Sequence, residues 1–270
     1  MDLRLKDKVA LVTGGSMGIG KAIARSLAGE GCKVAICARG EDRLRAASEE
    51  LQRDTGSEVA PFVADLTRAE DVEPMVNAVV ERFGRIDILV NNAGSAPGGV
   101  LERLSEEEWA QALQLKFMGY VRCTKAVIPH MRRQGKGRVV NLIGNDGVKH
   151  SYWEIAPGAA NAAGQNLTTS LAGQYAKENI TFVAVNPGPV RTERWDGLVQ
   201  AMARDMNITV DEASRLAPSS IPLGRICEPE EVGNLCAYLA SDLAHYVNGT
   251  MIEIDGGQQK PLMDAVRDRG

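Results

Sequence analysis

Thr13-Gly14-Gly15-Ser16-Met17-Gly18-Ile19-Gly20 follows directly on the apolar run Lys8-Val9-Ala10-Leu11-Val12 and leads into Lys21-Ala22-Ile23-Ala24-Arg25-Ser26-Leu27. The run over 8–13 reads as a buried strand, and the periodic stretch from Gly18 onward as a helix. Glycines between them allow a tight turn, a close backbone approach to a phosphate, and close packing of helix on strand. The helix start then offers unpaired N–H groups and the positive end of its dipole to an anion. Glycine also serves plain strand-to-helix turns. The strand–turn–helix context is what makes this one a phosphate-binding expectation.

Outward from that turn, short β-branched runs alternate with helical patterns. Further strands are expected over 33–37, 58–63, 86–90, 138–143, 180–185 and 250–254, and helices over 41–52 and 69–82. Ser105 followed three residues later by Glu108 is a capping box, which should open a long helix over 106–133. A second long helix is expected over 158–177. Apolar strands alternating with helices imply a parallel sheet covered on both sides. The expected fold is therefore α/β, a Rossmann-type doubly wound seven-stranded parallel sheet with helices on both faces. No internal repeat or low-complexity linker divides the 270 residues, so a single dinucleotide-binding domain is expected over 1–270.

A net charge of −4 and the lack of a Lys/Arg stripe argue against a nucleic-acid partner. The five cysteines form no CxxC pair and have no histidine at ligand spacing, so neither a disulfide framework nor a metal site is expected. The first residues lack the apolar core of a signal peptide. No apolar run approaches the ~20 residues that span a bilayer. A cytoplasmic location, with no membrane association, is the expectation.

Thr13, Gly14, Gly18 and Gly20, in the pattern TGxxxGxG, resemble the glycine motif of short-chain dehydrogenases/reductases. Asp65-Leu66 is similar to the family's adenine-contacting segment, and Asn91-Asn92-Ala93-Gly94 to its NNAG. Pro187-Gly188-Pro189-Val190-Arg191-Thr192 is similar to the segment beside the nicotinamide. Ile221-Pro222-Leu223-Gly224-Arg225, Pro229-Glu230-Glu231-Val232 and Asp255-Gly256-Gly257 follow in the family's order. The resemblance implies cofactor contacts at Gly14, Ser16, Gly18, Ile19, Gly20, Asp65, Leu66, Asn91, Ala93, Gly94, Asn161, Pro187, Gly188, Val190 and Thr192. It also implies a homodimer or homotetramer paired through the two long helices, and a substrate lid at about 192–217.

At the end of the second strand, where an acid would favour NAD, stand Ala38 and then Arg39. A guanidinium can hold a 2′-phosphate through charge-assisted contacts, so NADP(H) is the preferred cofactor. The alternative, NAD(H) with Glu41 or Asp42 on the ribose, stays open.

The family's enzymes use an Asn-Ser-Tyr-Lys set, and its flanking sequence places all four positions here. They read Lys116, Gly144, Pro157 and Asn161 in place of Asn, Ser, Tyr and Lys. Proline cannot transfer a proton. Asn and Lys have exchanged places, which suggests a rebuilt network with Asn161 on the ribose hydroxyls and Lys116 supplying the ammonium. Tyr152 is the leading substitute acid. His150 and Glu154 stand in the same loop, and Asn145 and Asp146 are placed to orient a polar substrate. Pro157→Tyr with Gly144→Ser, added to the exchange Lys116→Asn with Asn161→Lys, is expected to move the site back toward ordinary carbonyl reduction. Trp195, Leu198, Met202 and Met206, at helical spacing, read as packing beneath a partly apolar pocket for a small-molecule substrate. The implied activity is an NAD(P)-dependent oxidoreductase acting on a carbonyl or alcohol through a nonstandard site. Two alternatives are an NADP(H)-binding protein with little redox activity, and a lyase or isomerase on the same scaffold.

Overall fold

The computed structural model describes residues 1–267. Seven strands form one all-parallel sheet in the order β3-β2-β1-β4-β5-β6-β7. They are β1 (Val9–Thr13), β2 (Lys33–Ala38), β3 (Val59–Val63), β4 (Ile88–Asn91), β5 (Gly137–Leu142), β6 (Ile180–Pro187) and β7 (Met251–Ile254). All seven expected strands are present, with ends shifted by a few residues. β4 starts two residues late, and just before it the Asp87 carboxylate accepts the Val9 N–H at 2.9 Å.

Alternate residues of each strand feed opposite sides of the sheet, as the two-residue strand period requires. Ala10, Val12, Val34, Ile36, Ile88 and Val90 pack under α1 (Gly18–Gly29), α2 (Glu41–Thr55) and α9 (Pro229–Ala240). Val9, Leu11, Ala35, Cys37, Leu89 and Val139 pack under α3 (Ala69–Phe83), α5 (Gly119–Gln134) and α6 (Ile155–Tyr175). Burial on both faces explains why the strands read as continuous apolar runs. Each buried Val, Leu or Ile contributes roughly 1.5–3 kcal/mol.

The expected 106–133 helix is interrupted. The Ser105–Glu108 capping box is present and opens α4 (Glu106–Ala112). A π-helical segment, Leu113–Met118, then leads into α5. After β6, α7 (Glu193–Met206) and α8 (Val210–Leu216) build a separate cluster of Trp195, Val199, Met202, Ala203 and Ala213, joined by Trp153 and by Met263 of α10 (Leu262–Arg267). Among the described residues no helix is long and apolar enough to cross a membrane, and no His/Cys/Asp/Glu group could hold a metal ion.

Candidate active site

The strand order reverses direction between β1 and β4, and ligands of open α/β sheets bind at the carboxyl ends of strands beside such a switch. A cleft of about 890 Å³ opens there. Its floor is tied by Thr13, whose hydroxyl accepts the N–H groups of Asn92 (2.9 Å) and Ala93 (3.0 Å) and donates to the Val90 carbonyl. Asn92 in turn donates its amide to the Thr13 carbonyl at 2.9 Å. The glycine turn and the Asn-Asn-Ala-Gly segment thus hold each other in place.

Gly18 has φ +52°, a conformation costly for any residue with a Cβ. From it α1 starts with no side-chain cap and no acid in its first turn. Its N–H groups and dipole are left to an external anion, which suits a pyrophosphate. At one end of the cleft stand Arg39 and, one turn later, Arg43. Arg43 donates Nη1 to the Met17 sulfur at 3.3 Å, which draws it toward the glycine turn.

Of the residues expected at the cofactor, Gly14, Ser16, Gly18, Ile19, Gly20, Arg39, Leu66, Ala93, Gly94, Asn161, Pro187, Gly188, Val190 and Thr192 line this cleft. Asp65 and Asn91 do not line it, and the structure corrects their placement. Asp65 accepts the Thr67 N–H (3.0 Å) and hydroxyl (2.8 Å), closing its own turn. Asn91 is fully buried and donates to Thr124 and Asn141, linking β4, β5 and α5.

At the other end, Lys116, Asp146, Glu154, Pro157 and Asn161 line the wall. Lys116 comes from the π-helical segment, and its stem lies over Gly94. Asn161, on the second turn of α6, is buried and donates its amide to Asp146. The Asn161 Oδ1 has no partner within the protein, and a buried unpaired acceptor costs about 1–3 kcal/mol. A ligand hydroxyl would relieve that cost. Burial, with Arg194 assisting, lowers the Lys116 pKa against the pull of Asp146 and Glu154. Burial also pushes Glu154 up to about 8, with Asp146 and Asp264 adding to the rise and Lys116 opposing it.

Tyr152 lies elsewhere. It packs against the lid cluster and is absent from the cleft wall, while His150 is exposed. Asn145 lines the cleft and donates to Gln258, also on its wall, at 2.7 Å and to Asp255 at 3.3 Å. Trp195 and Leu198 face the cleft, whereas Met202 is wholly buried beneath them. Sequence reasoning missed Arg43 and undervalued Glu154.

Residues 14–259 match the family described as enoyl-(acyl carrier protein) reductase. The 3-oxoacyl-(acyl-carrier-protein) reductase FabG of Thermotoga maritima is 34% identical over 255 residues, covering 94% of this chain and 99% of that protein. The L-sorbose reductase of Gluconobacter frateurii, solved with NADPH and L-sorbose, aligns with a TM-score of 0.90 at 32% identity over 96% of this chain and 99% of that one. An actinorhodin polyketide ketoreductase variant solved with NADPH also gives 0.90, at 35% identity over 93% and 97%. The chain belongs to the short-chain dehydrogenase/reductase family.

No tyrosine lines the cleft among the described residues. Pro157 sits in the first turn of α6, where its missing N–H costs nothing. Gly144 has φ +149°, and a Cβ on it would come within 2.6 Å of both Asn161 Nδ2 and Asp146 Oδ1. With Asn161 in place, Gly144→Ser on its own would therefore be strained. The Asn161–Asp146 pair occupies the space a serine would need.

Proposed function

We propose that this protein is an NADP(H)-dependent oxidoreductase that interconverts a carbonyl and its alcohol, using an acid/base set of its own. The observation carrying this reading is one continuous cleft with two guanidinium groups at one end and Lys116, Glu154 and Asn161 at the other. The glycine turn and the free start of α1 lie between them. Arg39 and Arg43 would hold a 2′-phosphate, the α1 N-terminus the pyrophosphate, and Leu66, Ala93 and Gly94 the adenosine side. Pro187, Gly188, Val190 and Thr192 would flank the nicotinamide, with Asn161 on its ribose. Bound there, the reduced nicotinamide supplies the hydride. Trp195 and Leu198 would cover the apolar part of a small-molecule substrate, and Lys116 would place a cation near the reacting oxygen. Two copies pairing through α5 and α6, as a homodimer or homotetramer, belong to the same reading.

A second reading, an NADP(H)-binding protein with little redox activity, is favoured by the lack of a tyrosine on the wall. Following NADPH absorbance against a broad carbonyl panel, together with cofactor titration, separates the two. Carbonyl-dependent oxidation is expected. Tight NADPH binding with no oxidation would favour the second reading, and product formed without net oxidation would point to a lyase or isomerase.

A further inference from the structure

We propose that Glu154 is the group that exchanges a proton with the substrate oxygen in this cleft, and that Lys116 is its positioning partner. This rests on the reductase reading above and names the acid that reading leaves unassigned.

Glu154 is the N-cap residue of α6, the place where a short polar side chain ordinarily folds back onto the first helical N–H groups. Its carboxyl makes no such bond. The side chain instead contributes to the cleft wall, three residues and about one helical turn before Pro157. The backbone beneath it is held from several sides. Gly99 N–H donates to the Trp153 carbonyl at 2.7 Å, and Gly99 forms a parallel bridge with Glu154. The Trp153 indole packs against Gly98 and donates to Asp205 at 2.8 Å. The Ser151 hydroxyl accepts the N–H groups of Trp153 and Glu154 and donates to Asp264 at 2.5 Å. The residue is thus held in the cleft wall by a fixed loop, with its carboxyl not used to cap the helix.

The charged groups acting on it come from three elements. Lys116 acts from the π-helical segment, Asp146 from the turn after β5, and Asp264 from α10. Arg194, from α7, acts on Lys116 and donates to the Gly94 carbonyl at 3.2 Å. A helix N-terminus normally favours the ionised carboxylate. Here burial, with two neighbouring acids, outweighs Lys116 and pushes the carboxyl up to about 8. A carboxyl so poised gives up a proton to a forming alkoxide and can recover it from solvent.

In the reduction, hydride and its electron pair reach the carbonyl carbon, and the C=O π pair moves onto oxygen. The Glu154 O–H proton then joins that oxygen. The products are the alcohol, the oxidised cofactor and the Glu154 carboxylate, which Lys116 stabilises until water reprotonates it. In the oxidation the carboxylate removes the alcohol proton.

The test compares wild type with Glu154→Gln, Glu154→Asp, Lys116→Met and Lys116→Arg, by steady-state kinetics over pH and by infrared titration of the apoprotein with ¹³C-labelled glutamate. Glu154→Gln should lower kcat for carbonyl reduction by about 10²–10⁴-fold and leave NADPH affinity within about threefold, and Glu154→Asp should recover part of the rate. Wild-type reduction should decline as pH rises through about 8. Lys116→Met should move that decline upward, and Lys116→Arg should leave it closer to wild type. In the infrared titration a protonated carboxyl band should persist at neutral pH and disappear in Glu154→Gln. Turnover undiminished in Glu154→Gln, or an ordinary acidic titration of the residue, overturns the proposal. A wild type that oxidises no NADPH with any carbonyl overturns the reductase reading and the proton delivery together. The infrared titration still reports separately whether the carboxyl is neutral.

Discussion

At the scale of single residues, a few charged side chains set the character of the cleft's two ends. Arg39 and Arg43 face the adenosine end, and among the described residues no carboxylate is hydrogen-bonded to either. Arg39→Ala and Arg43→Ala should each weaken NADPH binding by about 1.5–3 kcal/mol, the value of a hydrogen bond to a charged group. NADH binding should change little. Fluorescence titrations at fixed salt measure both, and equal losses for the two cofactors would show that neither guanidinium reads a 2′-phosphate. Arg39 was legible because it ends a strand beside a glycine motif. Arg43 carried a fainter signal, a cation in the first turn of a helix, where the dipole disfavours it. Glu154 was undervalued for a different reason. Its value depends on the Trp153–Gly98 contact and on Asp264 more than a hundred positions away, and no local pattern encodes either. The same loop conformation turned Tyr152 toward the lid cluster.

At the scale of elements, the strands were legible because burial on both faces leaves an unbroken apolar run. The glycine turn and the Ser105 cap were legible because their chemistry is local. The π-helical segment was not, since its six residues have ordinary helical composition and the wider turn is imposed by packing. That segment carries Lys116, whose place at the site was read from the family resemblance and not from a local pattern. The lid helices have their own small core, distinct from both sheet faces. Met202, wholly buried in it, supports Trp195 and Leu198 from behind. Met202→Ala should cost about 2–5 kcal/mol within that cluster. Hydrogen exchange should quicken across Glu193–Met206 and Val210–Leu216 while β1 and β4 stay protected, and KM for the carbonyl should rise more than the NADPH Kd. Uniform loss of protection would show that the lid and the sheet unfold as one unit.

At the scale of the whole molecule, Glu154 links the site to global stability. An unfolded glutamate titrates near 4.3, the folded one at about 8. Between those values the native state keeps a proton the unfolded chain has released, so stability falls as pH rises, by at most about 1.4 kcal/mol per unit. Glu154→Gln removes that dependence. Its stability advantage over wild type should grow between about pH 5 and pH 8 and level off above. Denaturant unfolding of both proteins across that range checks the sign, and a constant difference would place the residue's pKa near its unfolded value. The cleft wall also contains two of the protein's three tryptophans, Trp153 and Trp195. Indole emission overlaps the absorption of a reduced nicotinamide, and energy passes between such groups over the width of a cleft. The protein therefore carries its own optical gauge of occupancy. Quenching at Trp153 and Trp195 would mark the arrival of the reduced cofactor, and its loss would time the hydride's departure without any added label.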